Sequence, residues 1–201
     1  MSRPLDFYFD FSSPYSFLAS EQIEPLAARH GRAVVYRPLL LGAVFKASGS
    51  APLTEQYGPK TRYSMHDFER SARYAGVHYR HPSKFPIGAV AASRAVLWLQ
   101  QHWPDQANPF VHAVFRAFFQ DDRDISDASV VAQIAQALGV DGPALMQGAQ
   151  EPAIKEELRR RVEEAIAFGV FGAPTIVVDG EVFWGNDRLP QIERWLASGP
   201  F

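Results

Sequence analysis

The sequence contains no cysteine among its 201 residues, which removes several kinds of chemistry at once. Without cysteine the chain can form no disulfide, no cysteine-ligated zinc or iron–sulfur site and no thiolate nucleophile of its own. It also lacks the run of about 18 apolar residues that a membrane-spanning helix requires, and its first residues lack the apolar segment of a signal peptide. We therefore expect a soluble cytoplasmic protein whose own side chains perform no thiol chemistry.

An excess of charge of one sign is also missing. The chain has 20 Lys+Arg against 22 Asp+Glu and a pI near 6.3, so it has no general attraction for nucleic acid or anionic membranes. The densest charge run, residues 155–164, holds four cations and four anions and is typical of a solvated helix face. His78 and His81 form the one close histidine pair, without a carboxylate at ligand spacing. We expect no nucleic-acid, membrane or metal site.

The first 40 residues predict a β-α-β unit. Apolar residues alternate with polar or aromatic ones from Leu5 to Phe11, which is the period of a strand. Ser13 followed by Pro14 is typical of a helix start, and that helix should run to about His30. A β-branched stretch at 34–36 then predicts a second strand, parallel to the first.

The next 130 residues contain helix start and stop signals and show no strand pattern. Asn108 before Pro109 predicts one helix start, and Ser126 predicts another. Leu158 and Ile166 belong to a further segment whose apolar residues have helical spacing. The region therefore indicates an all-helical insertion.

Strand character returns near the end of the chain. Residues 175–178 and 182–184 flank Asp179-Gly180, which is a strong hairpin signal, and a last helix should follow from about Leu189. The order β-α-β, helical insertion, β-β-α predicts an α/β protein with a thioredoxin-like domain at residues 1–40 and 169–201. Residues 41–168 would be the inserted helical domain.

Three segments could hold chemistry. Ser13 is expected at a helix N-terminus, where free N–H groups and the helix dipole favour an anion, although it could be a simple helix cap. Pro174 opens a predicted strand; if the bond from Ala173 is cis, the Ala173 backbone could pair with an extended, peptide-like ligand. In the stretch 184–188, Asn186 or Asp187 could cap the last helix, and the carboxylate of Asp187 could also bind an ammonium group.

Taken together, the motifs resemble one known group of proteins. The chain is similar over its whole length to the glutathione-dependent 2-hydroxychromene-2-carboxylate isomerases and the kappa-class glutathione transferases, which are DsbA-like thioredoxin proteins with a helical insertion. The resemblance rests on these residues, in order: Phe7-Tyr8-Phe9-Asp10, Ser13-Pro14-Tyr15-Ser16, Arg37-Pro38, Leu41-Gly42, Phe45-Lys46, Tyr63, Asp67, Phe85-Pro86, Phe171-Gly172-Ala173-Pro174-Thr175 and Trp184-Gly185-Asn186-Asp187-Arg188.

The resemblance implies glutathione as the cofactor and a role for each motif. Ser13 holds the position of the first cysteine in redox relatives and would stabilise the glutathione thiolate, so the reacting sulfur would come from the ligand. The other residues that would contact glutathione are Ala173, Pro174, Trp184, Gly185, Asn186, Asp187 and Arg188. Lys46 would bind the carboxylate of a small aromatic substrate, and Phe85 would lie near its pocket. The resemblance also implies a homodimer.

Two departures concern the substrate end. Ser50 and Gly88 stand where the family often has asparagine, which leaves the substrate undetermined. The leading hypothesis is a cis–trans isomerase of an aromatic conjugated keto acid, such as 2-hydroxychromene-2-carboxylate. The alternatives are a kappa-type transferase or peroxidase, and a non-catalytic thioredoxin-like binding module.

Overall fold

The computed structural model describes residues 3–52 and 58–201. Its centre is one mixed four-stranded sheet in the order β2-β1-β3-β4, in which β1 pairs parallel with β2 and antiparallel with β3. The strands are β1 (Leu5–Phe9), β2 (Val34–Pro38), β3 (Thr175–Val178) and β4 (Glu181–Trp184).

Helices flank this sheet and fill the chain between β2 and β3. They are α1 (Pro14–Arg29), α2 (Leu41–Ser48), α3 (Pro59–Ala75), α4 (Val90–His102), α5 (Pro104–Phe119), α6 (Ala128–Ala137), α7 (Gly142–Gly148), α8 (Pro152–Phe168) and α9 (Leu189–Ser198). A single 3-10 turn, Asn186–Arg188, precedes α9. Within the described ranges, no helix combines the length and the apolar character needed to cross a bilayer.

The structure confirms the predicted β-α-β opening, the terminal β-β-α unit and the helical insertion. Ser13 is the N-cap of α1, and the hairpin turn has positive φ angles of 54° at Asp179 and 96° at Gly180. The first strand is shorter than its pattern predicts, because it ends at Phe9 and not at Phe11. Phe11 is still fully buried, so the alternation of apolar residues continues into the turn without strand pairing.

Two helix starts were wrongly predicted inside the insertion. Helix α5 begins five residues before Pro109, because Pro104 already occupies its first turn and Pro109 lies inside the helix. The Asn108 side chain caps nothing and donates a hydrogen bond to Glu24 Oε1 at 2.6 Å. The cap of α6 is Asp127, whose carboxylate accepts the Ser129 N–H, and Ser126 lies one residue outside it.

The main core lies between the sheet, α1 and α5. Its aromatic centre includes Phe9 and Phe115, whose rings are 5.5 Å apart, and Phe17 and Phe119, whose rings are 5.3 Å apart. Aromatic side chains of this size supply much of the apolar surface that folding buries. The same cluster continues into α4, α6 and α7, so one core joins the sheet to the inserted helices. The division of the chain into two domains stays a prediction.

Candidate active site

Ser13 lies at the turn between β1 and α1 and connects two distant parts of the chain. Its hydroxyl oxygen accepts the Ser16 N–H at 3.1 Å, and its hydroxyl donates to the carbonyl of Ala173 at 3.2 Å. The residue is 6% exposed. Ser13 is therefore both the helix cap that its sequence position predicts and a direct contact to the loop before β3.

The loop before β3 presents a free backbone donor next to Ser13. The Ala173–Pro174 bond is cis, and the Pro174 carbonyl accepts the Gly185 N–H at 3.0 Å. The Ala173 N–H makes no hydrogen bond within the described residues, and neither does the Tyr15 N–H in the first turn of α1. The first turn of α1 also contains no acidic residue. Two free amides and a helix N-terminus therefore fit an anionic, peptide-like ligand.

Asp10, which directly precedes this turn, is a buried carboxylate that the sequence reasoning did not assign to the site. Its Oδ1 accepts the Ser12 N–H at 2.7 Å, and its Oδ2 accepts the Leu41 N–H at 2.8 Å. Burial raises the pKa of Asp10, and the hydrogen bonds from Leu41 and Ser12 partly offset that effect. Asp10 thus holds the Ser13 turn against the start of α2. A lone acid between an apolar strand and a Ser-Ser-Pro turn was the available sequence signal.

Ser12 connects the same turn to the loop that carries Phe85. Its hydroxyl oxygen accepts the Ile87 N–H at 3.0 Å, two residues after Phe85. The Phe85 ring is half-buried and lies against His81, with 4.9 Å between ring centroids, and 6.5 Å from Phe118. The structure therefore brings the Phe85 loop to the Ser13 turn.

The segment after β4 forms the outer part of the site. Trp184 is half-exposed, packs on Phe171 at 4.9 Å between rings, and covers Gly172, where an added Cβ would lie 2.6 Å from the indole nitrogen. The 3-10 turn that follows packs against α1. Within it, Asp187 and Arg188 form an ion pair at 2.8 Å.

Gly185 and Asn186 complete this segment. Gly185 has φ of 113°, and a Cβ there would lie 2.4 Å from Asp187 Oδ1, so the position requires glycine. Asn186 opens the 3-10 turn and is half-buried. Both residues therefore shape the approach to Asp187.

Tyr15, two residues after Ser13, connects the site to α3. Its hydroxyl donates to Asp67 Oδ2 at 2.6 Å, and its ring lies 5.0 Å from Phe68. Burial raises the pKa of Tyr15, and the hydrogen bond to Asp67 raises it further. Asp67 also forms an ion pair with Arg70 on the same helix. The motif residue Asp67 thus joins Tyr15 to α3.

Lys46 has a different environment from the other predicted site residues. It is exposed in the last turn of α2 and makes no hydrogen bond or ion pair with the described residues. Its helix is fixed to the site through Leu41 and Asp10. The structure therefore connects Lys46 to the Ser13 turn through its helix, without a direct contact.

A second polar cluster lies outside this site, between α1 and α5. His112 lies between two carboxylates: its Nε2 is 2.8 Å from Glu24 Oε2, and its Nδ1 is 3.6 Å from Glu21 Oε1. Burial opposes the charge on His112, but Glu21 and Glu24 outweigh it and raise its pKa to about 9. Arg116 and Tyr36 complete the cluster, which borders a cavity of about 370 Å³. In residues 3–52 and 58–201, no group of three metal-ligating side chains comes together.

Comparison with known proteins assigns the family. The DSBA-like thioredoxin domain model matches residues 4–197. The chain is 35% identical to the 2-hydroxychromene-2-carboxylate isomerase of Sphingobium xenophagum, covering 98% of this chain and 100% of that protein. It is 27% identical to glutathione S-transferase kappa 2 of Caenorhabditis elegans, covering 99% and 93%.

Solved structures agree with this assignment. A structure of a 2-hydroxychromene-2-carboxylate isomerase superposes with a TM-score of 0.86 at 29% identity, covering 96% of this chain and 94% of that one. A probable DsbA oxidoreductase of Streptomyces coelicolor has the same fold, with a TM-score of 0.79 at 18% identity. The chain therefore belongs to the DSBA-like thioredoxin family, in the group of 2-hydroxychromene-2-carboxylate isomerases and kappa-class glutathione transferases.

Proposed function

We propose that this protein is a glutathione-dependent cis–trans isomerase of 2-hydroxychromene-2-carboxylate or a similar aromatic conjugated keto acid. The observation that supports it best is the Ser13 turn, where a helix N-terminus, two free amides and a hydroxyl converge in a chain without cysteine. The isomerases and kappa transferases among its relatives support the reaction and the cofactor. Glutathione would supply a thiolate that adds reversibly to the substrate's conjugated system, so that the double bond becomes single, rotates and re-forms.

The residues fit such a ligand by type and position. The free N–H of Ala173 would pair with the peptide-like backbone, since it has no partner among residues 3–52 and 58–201. Asp187 and Arg188 would exchange their mutual ion pair for the α-amino and α-carboxyl groups of glutathione. Trp184 would pack against the ligand, because about half of its surface is exposed and available for contact. Lys46 would neutralise the substrate carboxylate, and Phe85 would line its pocket.

Ser13 would stabilise the thiolate and would not act as a nucleophile. A thiol with an ordinary pKa of about 8.5 needs roughly 2 kcal/mol to be half ionised at pH 7. A charge-assisted hydrogen bond contributes about 1.5–3 kcal/mol and a helix N-terminus about 0.3–1 kcal/mol. To bind the thiolate, the Ser13 hydroxyl must first break its hydrogen bond to the Ala173 carbonyl. The net stabilisation of the thiolate therefore lies toward the lower end of the range given for a charge-assisted hydrogen bond.

Turnover of Ser13→Ala at saturating glutathione tests this role. We expect a fall of about ten- to a hundredfold, nearer tenfold, together with a raised pKa of the bound thiol measured by its ultraviolet absorbance. Ser129→Ala, which removes an exposed hydroxyl on α6, is the control and should leave both unchanged. An unchanged rate and thiol pKa in Ser13→Ala would remove Ser13 from the mechanism.

The second candidate is a kappa-type transferase or peroxidase, which the similarity to glutathione S-transferase kappa 2 favours. Product analysis separates the two functions. An isomerase leaves total free glutathione constant over many turnovers, whereas a transferase forms a conjugate and a peroxidase forms a disulfide. A chain that binds no glutathione in calorimetry would instead be a non-catalytic module.

We also propose that the protein acts in the cytoplasm as a homodimer. The support is the family membership, together with exposed aromatic side chains such as Tyr63 and Tyr74, which are 60% and 94% exposed. Light scattering after size exclusion should give twice the chain mass of 22.4 kDa. A monomer mass at micromolar concentration would contradict the homodimer and leave the proposed reaction untouched.

A further inference from the structure

Arg94, on α4, is a partly buried cation without a partner in the part of the chain that the structure describes. Its Nε is buried and has no hydrogen-bond acceptor, and its guanidinium makes no ion pair or other hydrogen bond with the described residues. All the other partly buried arginines in residues 3–52 and 58–201 are paired. They are Arg32 with Asp179, Arg37 with Asp6, Arg123 with Gln133, Arg161 with Glu157, and Arg188 with Asp187.

Two hydrogen bonds fix where α4 lies relative to the Ser13 turn. Gln100, near the end of α4, donates to the Tyr36 carbonyl in β2 at 2.7 Å. Ile87, just before α4 begins, donates to Ser12 at 3.0 Å. The helix therefore begins near the Ser13 turn and leads away from it, and Arg94 lies about 9 Å nearer to the start of α4 than Gln100 does, measured along the helix axis at 1.5 Å per residue.

Arg94 also shares a face of α4 with residues that pack near the helix of Lys46. Leu97 and Trp98, three and four residues after Arg94, lie on the same side of α4. They belong to a cluster that includes Leu40, the residue directly before α2. Leu40 thus links the face of α4 that carries Arg94 to the start of α2, the helix that carries Lys46, and neither cation has a partner among the described residues.

Burying part of an unpaired guanidinium costs folding free energy unless an anion binds to it. A guanidinium presents five N–H donors in a planar fork that matches a carboxylate with two parallel hydrogen bonds, whereas Lys46 supplies only a point charge. We propose that Arg94 binds the carboxylate of a small aromatic acid and orients it, with Lys46 adding charge. The identity of that acid as the substrate rests on the proposed function, but the site itself does not.

Binding of two ligands of matched shape tests the proposal. Calorimetry would compare 2-naphthoate with the neutral 2-naphthamide, with and without glutathione. Arg94→Gln should weaken naphthoate binding by about ten- to a hundredfold and leave naphthamide binding unchanged, because a charge-assisted bidentate contact is lost. Arg94→Lys should give an intermediate loss. Arg73→Gln, which removes an exposed arginine on α3, is the matched control and should change neither.

The outcomes separate this inference from a structural role and from the proposed function. Equal naphthoate binding in Arg94→Gln, or an equal loss of both ligands with a lowered melting temperature, would overturn the inference. Naphthoate binding that depends on Arg94, in a protein that binds no glutathione, would support the inference and contradict the proposed function. Normal turnover with unchanged KM in Arg94→Gln, together with unchanged naphthoate binding, would overturn the inference and leave the proposed function untouched.

Discussion

The polar groups around Ser13 and the cations on α2 and α4 differ in how they are satisfied. Asp10, Ser12 and Ser13 each make hydrogen bonds to a segment distant in sequence. Lys46 and Arg94 make none with the described residues. Satisfied groups contribute to stability and hold a geometry, whereas unsatisfied cations add little stability and remain available to a ligand. Substitutions in these two groups of residues should therefore separate stability from ligand binding.

The largest effect is expected at Asp10. Asp10→Ala leaves the partly buried N–H groups of Ser12 and Leu41 without acceptors, which should lower the free energy of unfolding by roughly 2–5 kcal/mol. Urea denaturation measures this, with the exposed Asp121→Ala as control. Asp10→Asn keeps one acceptor oxygen, so its free energy of unfolding should lie between those of Asp10→Ala and the control. An Asp10→Ala protein as stable as Asp121→Ala would show that the two hydrogen bonds of Asp10 do not stabilise the Ser13 turn.

The His112 cluster, which is also internally paired, should give the next largest effect, as a dependence of stability on pH. Its pKa is about 9 in the folded protein against about 6.5 when unfolded, so folding favours the charged form. That stabilisation is complete below pH 6.5 and is lost as pH rises through about 9, amounting to roughly 3 kcal/mol. Urea denaturation across this range should show the loss, and His112→Gln should flatten it. The same slope in both proteins would refute the assignment.

A smaller effect is expected at Ser12. Ser12→Ala removes the acceptor of the Ile87 N–H and should cost about 1–2 kcal/mol of unfolding free energy. It should also speed hydrogen exchange at Ile87, because the loop loses its tie to the Ser13 turn. Ser129→Ala is the control. Unchanged exchange at Ile87 would mean that other contacts hold this loop.

The smallest change in stability is expected at Lys46. Lys46→Met should alter the free energy of unfolding by less than about 0.5 kcal/mol, since Lys46 is exposed and unpaired. Lys46→Met should raise KM for the aromatic carboxylate, measured by steady-state kinetics. It should not change the affinity for glutathione, measured by calorimetry. Lys155→Met, on the charged face of α8, should change neither. A stability loss comparable to that of Ser12→Ala would place Lys46 with the satisfied groups.

Much of the fold was predictable because its signals are local. The cap at Ser13, the alternation in β1 and the Asp179-Gly180 turn each depend on residues adjacent in sequence. The errors arose where two local signals competed. Pro104 and Pro109 both suit a helix start, and the partner of Asn108 turned out to be Glu24, 84 residues away.

The sequence indicates the motifs of the candidate site but not the hydrogen bonds between them. Ser13 and Ala173 were both singled out, but nothing in the sequence indicates that the hydroxyl of one donates to the carbonyl of the other. Asp10, which holds the Ser13 turn, and Arg94, which we propose as a ligand contact, were not given a role from the sequence. In the sequence, a buried acid that accepts two backbone N–H groups and a partly buried arginine without an acceptor look the same as ordinary surface charges.

The absence of cysteine, the order of the elements and the Ser13 motif are properties of the sequence alone, and they already exclude redox exchange by the protein's own thiols. Tertiary structure alone decided which polar groups are satisfied. Hydrogen bonds such as Ser12 to Ile87 and Asp10 to Leu41 join residues 75 and 31 positions apart. Whether a charge is paired depends on such long-range contacts, and the packing of the chain creates them.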